Sequence, residues 1–359
     1  MKLERTASQR VLDLSIGENL DRLITVDTRG DGIARIIYDA ARAIEDGPLT
    51  AAAAECIVTA VDPGDTVLIL TGFLIPPSNV PETDGPIGAA VLARAIIRGL
   101  GGVPVFVGEP ELEPVLRAAV AAAGLRLVDS LDRARSWSNS VAFVPFARDE
   151  ADPEGLAARL RDELSPVLAI ATERPGANPA GQYHFAGGLN VSSSIAPLDG
   201  LFARLVADGI PTVAIGDFGN ELGMGAIAAV VKSETPAGGN CNCGCGGGTA
   251  NEVPASVTLA CSVSDWGAYA VSAALAHLTG EPTAFVDRQT YVRIAEAACQ
   301  AGAIDGTSRL AVPAIDGVPA SYHERLVEQL AEVVALLERP YLDNAGRAFR
   351  ASRLFPAGR

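Results

Sequence analysis

The residues best suited to chemistry in this chain are Asp217, Asn220 and Glu221, which share one short loop with four glycines. The apolar run at residues 212–215 predicts a buried strand that ends at Gly216. Glycine allows a sharp turn and lets another group approach the backbone closely. Open α/β sheets bind their ligands beyond the carboxyl ends of the strands. We therefore predict that this loop forms the floor of an active site.

Three further apolar runs also end in polar clusters. These clusters are Thr71-Gly72 with Glu82 and Asp84, Glu173-Arg174, and Ser264-Asp265. In a parallel sheet all four strand ends lie on one edge, where the carboxylates would repel one another unless a cation shares them. Because carboxylate and carbonyl oxygens suit Mg²⁺ or Mn²⁺, we predict a divalent cation site that includes Glu82, Asp217 and Glu221.

Each of these side chains has a catalytic and a structural interpretation. The candidates for catalysis are Asp217, Glu221, Glu82 and Asp84. The candidates for substrate binding are Thr71, Gly72, Glu173, Arg174, Tyr183, Asn220 and Asp265. Arg174 has the geometry to bind a carboxylate through two hydrogen bonds. The structural alternatives are helix N-caps for Asp84 and Asp265, an ion pair between Glu173 and Arg174, and a self-packed loop around Tyr183 and His184. For Asp265 alone, the cap is the favoured interpretation.

Cysteines crowd into the glycine-rich stretch at residues 238–248. Cys241, Cys243 and Cys245, with Cys261 further on, could ligate zinc or an iron–sulfur cluster. Their alternate spacing differs from the paired CxxC arrangement of most such sites. We therefore favour a flexible loop with free thiols and keep a metal site as the weaker alternative.

Apolar strands alternate with helical segments along most of the chain. This alternation predicts an α/β fold with a predominantly parallel or mixed sheet and flanking helices in Rossmann-like layers. Residues 1–60 are predicted to form an N-terminal helical segment packed on the main domain. Residues 61–340 are predicted to form a single α/β catalytic domain, and residues 341–359 a C-terminal tail.

The charge of the chain limits its partners. Its formal net charge is −15 at pH 7, which argues against nucleic acid and anionic membranes as partners. No apolar run is long enough to span a membrane, and residues 1–10 lack the hydrophobic segment of a secretion signal. We expect a cytoplasmic protein with a small-molecule partner, and a homo-oligomer is an open option. An anionic substrate would need a local arginine, a helix amino terminus or a metal ion.

Four separated motifs carry a family resemblance. They are TGFLIPPSNVPETDGPIGA, ERPG, LDGLF with GIPTVAIGDFGNELGMG, and VSDWGAYAVSAAL. In this order, over residues 71–278, they resemble the D-glutamate cyclase family. The resemblance implies a hydro-lyase of amino-acid metabolism that converts D-glutamate to 5-oxo-D-proline with loss of water. The partner would then be a small acidic amino acid or a lactam.

The residues suit this chemistry. Ring closure needs a substrate folded so that its amine meets its γ-carboxyl group. It also needs a general base such as Asp217 or Glu82, and a divalent cation or Arg174 to neutralise the carboxylate under attack.

The sequence departs from the family pattern at three places. Phe218 stands where the family has a glycine, and Asp265 stands where it usually has asparagine. After ERPG, the segment at residues 183–188 lacks the arginine of an Asn-Met-Arg-Gly-like stretch. Two other functions therefore stay open. One is a metal-dependent hydrolase of a small amide or lactam, and the other is a non-catalytic small-carboxylate-binding protein whose cysteine loop is a metal or redox switch.

Overall fold

Seven apolar segments pair side by side as one parallel sheet in the computed structural model, which describes residues 5–338. The strands, in chain order, are β1 (Thr66–Thr71), β2 (Leu74–Ile75), β3 (Val80–Pro81), β4 (Val103–Gly108), β5 (Arg126–Val128), β6 (Ser140–Pro145), β7 (Leu168–Thr172), β8 (Thr212–Gly216) and β9 (Val257–Ala260). The order across the sheet is β5-β6-β4-β1-β7-β8-β9, with all neighbours parallel. Strands β2 and β3 form a separate antiparallel pair. The predicted α/β class is confirmed.

Helices connect the strands and cover both faces of the sheet. They are α1 (Ala7–Ile24), α2 (Ile33–Arg42), α3 (Leu49–Ala60), α4 (Pro86–Leu100), α5 (Glu113–Ala122), α6 (Leu131–Ser136), α7 (Pro153–Leu164), α8 (Asp199–Ala207), α9 (Ala228–Glu234), α10 (Ser264–Thr279), α11 (Arg288–Gln300) and α12 (Ala320–Glu338). The chain between β9 and α10 is short, so the carboxyl end of β9 leads directly into a helix amino terminus.

Strand β1 is buried on both faces, as a central strand of a parallel sheet should be. Val67 and Ile69 pack into a core that α1–α5 and α9–α12 share. Leu68 and Leu70 point to the opposite face and pack with α6, α7 and α8. The continuous apolar run of this strand is therefore explained by two cores, one on each side of the sheet.

Helices α4 and α10 pack closely because their facing residues are small. A Cβ atom at Gly88 on α4 would lie only 2.9 Å from the Cβ of Ala268 on α10. Real Cβ atoms essentially never come so close, so glycine is required there for the observed packing. The close approach brings the amino ends of both helices together beside the sheet edge.

Helices α1–α3 of the N-terminal segment pack on the same core. Ile16, Leu20 and Ile24 of α1 belong to the core that includes the buried residues of α10. The loop between α1 and α2 carries Arg29, which extends to the loop after β8. The division into an N-terminal segment and one catalytic domain stays a prediction.

Several local details differ from the sequence pattern or add to it. A 3₁₀ turn at Gly225–Ile227 leads into α9. The short helix α6 and the β2–β3 pair were not predicted. The predicted tail at residues 341–359 lies outside the described residues. Between residues 5 and 338, no helix has the length and apolar character needed to cross a membrane.

Candidate active site

The carboxyl ends of β1, β7, β8 and β9 are neighbours on one edge of the sheet, as predicted. A cavity of about 250 Å³ is lined by the chain segments after β1, β7 and β8 and by a loop before α12. Its lining residues are Phe73, Glu82, Glu173, Phe185, Ala186, Gly187, Asp217, Phe218, Asn220, Glu221, Gly306, Thr307, Arg309 and Asp316. This volume is near the lower limit for small-molecule pockets and suits a small ligand.

A wider groove of about 570 Å³ lies at the other end of the strands, near Gly64, Gly102 and Ser140. Within the described residues its lining includes no carboxylate. The cavity at the carboxyl edge differs from this groove because carboxylates line it.

Glu82 follows β3 and directs its carboxyl group into the cavity. No described residue donates a hydrogen bond to its side-chain oxygens, although the side chain is buried. Gly306 makes room for it, because a Cβ there would lie 2.9 Å from the Glu82 carboxyl carbon. Burial, and then the negative charges of Asp217 and Asp305, raise the pKa of Glu82 from 4.5 to about 8. The raised pKa favours the protonated form of Glu82 at neutral pH, and no described residue competes with a ligand for that proton.

Asp217 follows β8 and is held by an arginine that sequence reasoning missed. Arg29 donates to Asp217 Oδ2 at 2.7 Å and to the Asp217 carbonyl oxygen at 3.3 Å. The Arg29 guanidinium lies 3.9 Å above the centre of the Phe218 ring. Phe218, where the resembling family has glycine, thus forms a platform for this arginine. The platform and the ion pair together orient the Asp217 carboxylate.

Glu221 shapes the loop after β8. Its carboxyl oxygens accept hydrogen bonds from the backbone N–H groups of Asp217, Phe218 and Gly219, at 2.7–3.0 Å. Burial, and next the charge of Asp217, raise the pKa of Glu221 to about 8 against the opposing effect of these donors. The predicted catalytic residue Glu221 is therefore engaged first in positioning Asp217.

Glu173 and Asp316 complete the carboxyl cluster. Glu173 accepts a 2.6 Å hydrogen bond from the Ser264 hydroxyl. Burial and the charges of Asp217 and other carboxylates raise the pKa of Glu173 well above its usual range. Asp316, which was not predicted, lies 3.6 Å from Arg29, and burial with the Asp217 charge raises its pKa in the same way.

Two groups of carboxylates could hold a cation. Ligand oxygens lie within 4.8 Å of one another in the group Glu173, Asp217 and Glu221, and in the group Asp84, Asp217 and Asp316. Asn220 Oδ1, on the cavity lining, is buried without a hydrogen-bond donor among the described residues. This oxygen and the crowded carboxylates are the donor set that Mg²⁺ and Mn²⁺ prefer. Glu82, predicted as a ligand, belongs to neither group.

Asp84 and Asp265 cap each other's helices. Asp265 Oδ1 accepts from the backbone N–H groups of Gly85 and Gly88 at the start of α4. Asp84 accepts from the N–H groups of Ser264 and Asp265 at the start of α10. Burial raises the pKa of Asp265 to about 6 and that of Asp84 well above its usual range. Neither residue lines the cavity. The contacts of Asp265 match the favoured cap interpretation, except that Asp265 caps α4 and not its own helix α10.

Arg174 does not face the cavity. It forms a fully buried bidentate ion pair with Glu109, with N–O distances of 2.6 and 2.9 Å, and donates to the Ala196 carbonyl at 2.6 Å. The prediction that Arg174 anchors a substrate carboxylate is corrected by this geometry. A guanidinium with no exposed surface is not accessible to a ligand in the cavity, although its Nε has no acceptor among the described residues. The predicted pair with Glu173 is replaced by the pair with Glu109.

Three other predicted ligand contacts also lie outside the cavity lining. Tyr183 donates its hydroxyl to Asp199 at 2.5 Å. Thr71 Oγ1 is buried without a partner among the described residues, and Gly72 N–H donates to the Glu173 carbonyl. These residues support the cavity wall from behind. Asn220 does line the cavity, and its side-chain amide donates to the His184 carbonyl at 3.0 Å.

Three charged residues that the sequence did not reveal lie on loops far in sequence from the strand ends. Arg29, which contacts Asp217, precedes α2, and the cavity residues Arg309 and Asp316 lie between α11 and α12. The Asp-Gly pair at Asp316 indicates only a turn. The sequence could not reveal these three residues, because no sequence pattern shows that their loops lie at this edge of the sheet.

The comparisons with known proteins agree with the motif resemblance. Residues 20–331 match the model of a family described as D-glutamate cyclase-like, C-terminal. A human relative, D-glutamate cyclase, mitochondrial, is 27% identical over 216 residues, which cover 58% of this chain. The match covers 32% of the human protein, so the chain spans about a third of that relative's length.

Proposed function

The chain belongs to the D-glutamate cyclase-like family, and we propose that it is a lyase that interconverts D-glutamate and 5-oxo-D-proline. One observation carries the proposal. The buried carboxyl group of Glu82, without a protein partner among the described residues, lines the same cavity as Asp217, and burial raises its pKa. Lactam formation needs one group that accepts a proton from the amine and one that donates a proton to the departing oxygen.

The two carboxyl groups have different roles in this proposal. Asp217, paired with Arg29, accepts one proton from the substrate ammonium group, which frees the nitrogen to attack the γ-carboxyl carbon. Glu82 gives its proton to the departing γ-oxygen, which takes a second proton from the attacking nitrogen and leaves as water. Proton exchange with solvent then restores the Asp217 carboxylate and the Glu82 acid. The cavity supplies much of the rate by holding the substrate folded, with its amine against its γ-carboxyl group. Opening of the lactam is the same path in reverse.

Arg309 is proposed to anchor a substrate carboxylate in place of the arginine that the family pattern has after ERPG. It lines the cavity, its side chain is exposed, and it forms no ion pair with any described residue. Its guanidinium carbon lies 5.8 Å from the centre of the Phe185 ring, which also lines the cavity. A cation at this position offsets the negative charge of an acidic substrate entering an acidic cavity.

Arg309→Ala is expected to raise KM for D-glutamate by about 10- to 100-fold, with a smaller effect on kcat. This increase in KM corresponds to a loss of roughly 1.5–3 kcal/mol of binding free energy, which is the usual contribution of a hydrogen bond to a charged group. Steady-state kinetics measures both constants. Arg325→Ala, on an exposed position of α12, is the control and should leave KM unchanged. An unchanged KM in Arg309→Ala would remove Arg309 from the substrate site.

A Mn²⁺ or Mg²⁺ ion is proposed to bind Glu173, Asp217 and Glu221, with Asn220 Oδ1 as a further oxygen donor. Such an ion, when bound, neutralises the carboxylates and polarises a carboxyl oxygen of the substrate. Asp217→Asn is expected to weaken Mn²⁺ binding by at least about tenfold, because the shared ligand loses its charge. Titration calorimetry with Mn²⁺ measures the affinity.

Two further variants define which carboxylates bind the ion. Glu173→Gln should weaken Mn²⁺ binding, whereas Asp39→Asn, on the exposed face of α2, should not. If Asp316→Asn weakens binding and Glu173→Gln does not, the ion belongs to the group that contains Asp84 and Asp316, and the assignment above is wrong.

Incubation of the protein with single amino acids tests the proposed function. D-glutamate, L-glutamate and D-glutamine are each incubated with and without Mn²⁺, and 5-oxoproline and glutamate are quantified by mass spectrometry. Formation of 5-oxoproline from D-glutamate supports the proposal. Release of glutamate from the amide without turnover of D-glutamate would instead support the metal-dependent hydrolase.

A further inference from the structure

Four ligand atoms that suit a transition metal converge outside the carboxylate cavity. His184 Nε2 lies 3.2 Å from Cys243 Sγ, and Cys241 Sγ lies 3.3 Å from Cys243 Sγ and 3.2 Å from Cys245 Sγ. The four atoms all lie within 4.8 Å of one another. The expected flexible loop with free thiols stays a prediction, and this geometry supports the alternative of a metal site, because three sulfurs and one histidine nitrogen lie close together.

The local sequence explains how alternate residues can face the same point. Gly244 and Gly246 alternate with the cysteines and have φ angles of +80° and +74°. This left-handed backbone curls the chain, so that residues two apart do not extend away from each other as they would in a strand. A cysteine loop with larger residues at these positions would be strained.

Surrounding polar groups support the cluster. Asn178 Nδ2 donates to Cys245 Sγ at 3.3 Å and to the Gly248 carbonyl at 2.7 Å. The side-chain amide of Asn220 donates a hydrogen bond to the His184 carbonyl oxygen. Hydrogen bonds that orient the ligating side chains are characteristic of metal sites. Cys243 is exposed and provides an entry path, while Cys241 and His184 are buried.

The spacing of the ligand atoms favours one ion over a cluster. Tetrahedral zinc has Zn–S bonds of about 2.3 Å, which place neighbouring ligand sulfurs about 3.8 Å apart. The observed sulfur contacts need to open by only about 0.5 Å to reach this geometry. Three thiolates and one neutral imidazole are a Cys₃His donor set, which in proteins is typical of structural zinc.

We propose that His184, Cys241, Cys243 and Cys245 bind one zinc ion as a tetrahedral structural site. The ion joins residues 183–187 to the glycine-rich loop at residues 238–248. Since His184 directly precedes Phe185, Ala186 and Gly187 of the cavity lining, the site fixes one wall of the active site. All four coordination positions are filled by the protein, so this zinc takes no part in the reaction.

Metal analysis of the full chain, purified without chelators, tests the site. Elemental analysis by mass spectrometry should find about one zinc per chain in the wild type. Cys243→Ser should lower zinc content by at least about tenfold. Cys299→Ser, a cysteine on α11, and Asp217→Asn, in the carboxylate cavity, should both keep the zinc.

Cobalt substitution provides a readout that does not depend on a variant. Wild-type protein stripped with a chelator and titrated with Co²⁺ should show the intense visible absorption of tetrahedral cobalt and sulfur-to-cobalt charge transfer, saturating at about one ion per chain. Wild-type protein without stoichiometric zinc and without this spectrum would overturn the proposal. Stoichiometric iron, zinc retained in Cys243→Ser, or a disulfide between Cys241 and Cys245 in freshly purified protein would also overturn it.

Discussion

Glu82→Gln is expected to lower kcat for 5-oxoproline formation by about 10²- to 10⁴-fold, the usual contribution of a general acid or base. Glutamine has nearly the same shape but cannot give up a proton. The substitution removes no hydrogen bond to a described residue, so the cavity should keep its form. Steady-state kinetics with D-glutamate measures the effect. Glu45→Gln is the matched control, because Glu45 is a half-buried glutamate with a raised pKa that does not line the cavity.

The pH dependence separates a proton donor from a residue that only fills space. With the pKa of Glu82 at about 8, kcat/KM of the wild type should fall as the pH rises through about 8, because the required proton is lost. Glu82→Gln should lose this limb of the profile. A residual activity that still falls at about pH 8 would assign the proton to another group, with Glu221 as the first alternative.

Stability provides an independent check on the same group. The pKa of Glu82 is 4.5 in an exposed chain and about 8 in the fold. Its contribution to the free energy of unfolding is therefore fully present below pH 4.5 and is lost as the pH rises through about 8. The glutamine variant has no such loss, so it should be at least as stable as the wild type at pH 8 and above. Urea unfolding across this range measures the difference.

Arg174→Ala is expected to lower the free energy of unfolding by about 3–5 kcal/mol, because it leaves Glu109 as an uncompensated buried charge. Both side chains of this pair are fully buried. Differential scanning calorimetry should show a Tm lower by roughly 5–15 °C. Arg161→Ala is the control: its ion pairs with Asp162 and Asp208 are exposed, so it should cost less than about 1 kcal/mol.

A double variant separates the structural role of this pair from substrate binding. Replacing both Arg174 and Glu109 by methionine removes the two charges together and should recover part of the lost stability. If Arg174→Ala kept the wild-type Tm and raised KM instead, the arginine would be a substrate anchor, as the sequence first suggested.

The strand ends were predictable because their signal is local. An apolar run followed by acidic residues specifies where Glu173 and Asp217 leave the sheet, and a parallel sheet then places them together. Roles of the single residues were less predictable, because they depend on partners distant in sequence. Asp84 and Asp265 cap helices that lie 180 residues away in the chain. The sequence position of Arg174, directly after a strand, indicates a ligand anchor. In the fold it forms a buried ion pair with Glu109 instead.

The cations at the site could not be predicted for a related reason. Arg29 contacts Asp217 and Arg309 lines the cavity, from loops near opposite ends of the chain, and nothing in their own sequence marks them. Phe218 is a further residue whose contacts the sequence could not predict. Its departure from the family pattern was visible, but its contact with Arg29 was not.

The most direct test of the proposed lactam chemistry uses D-glutamate with ¹⁸O in both γ-carboxyl oxygens. If the amine displaces one γ-oxygen as water, mass spectrometry should find 5-oxoproline that keeps one of the two labelled oxygens. The product should form with the wild-type protein, and its rate should fall by about 10²- to 10⁴-fold with Glu82→Gln. D-glutamate that remains unchanged, or a product that keeps both labelled oxygens, would contradict the assignment of this cavity to lactam formation.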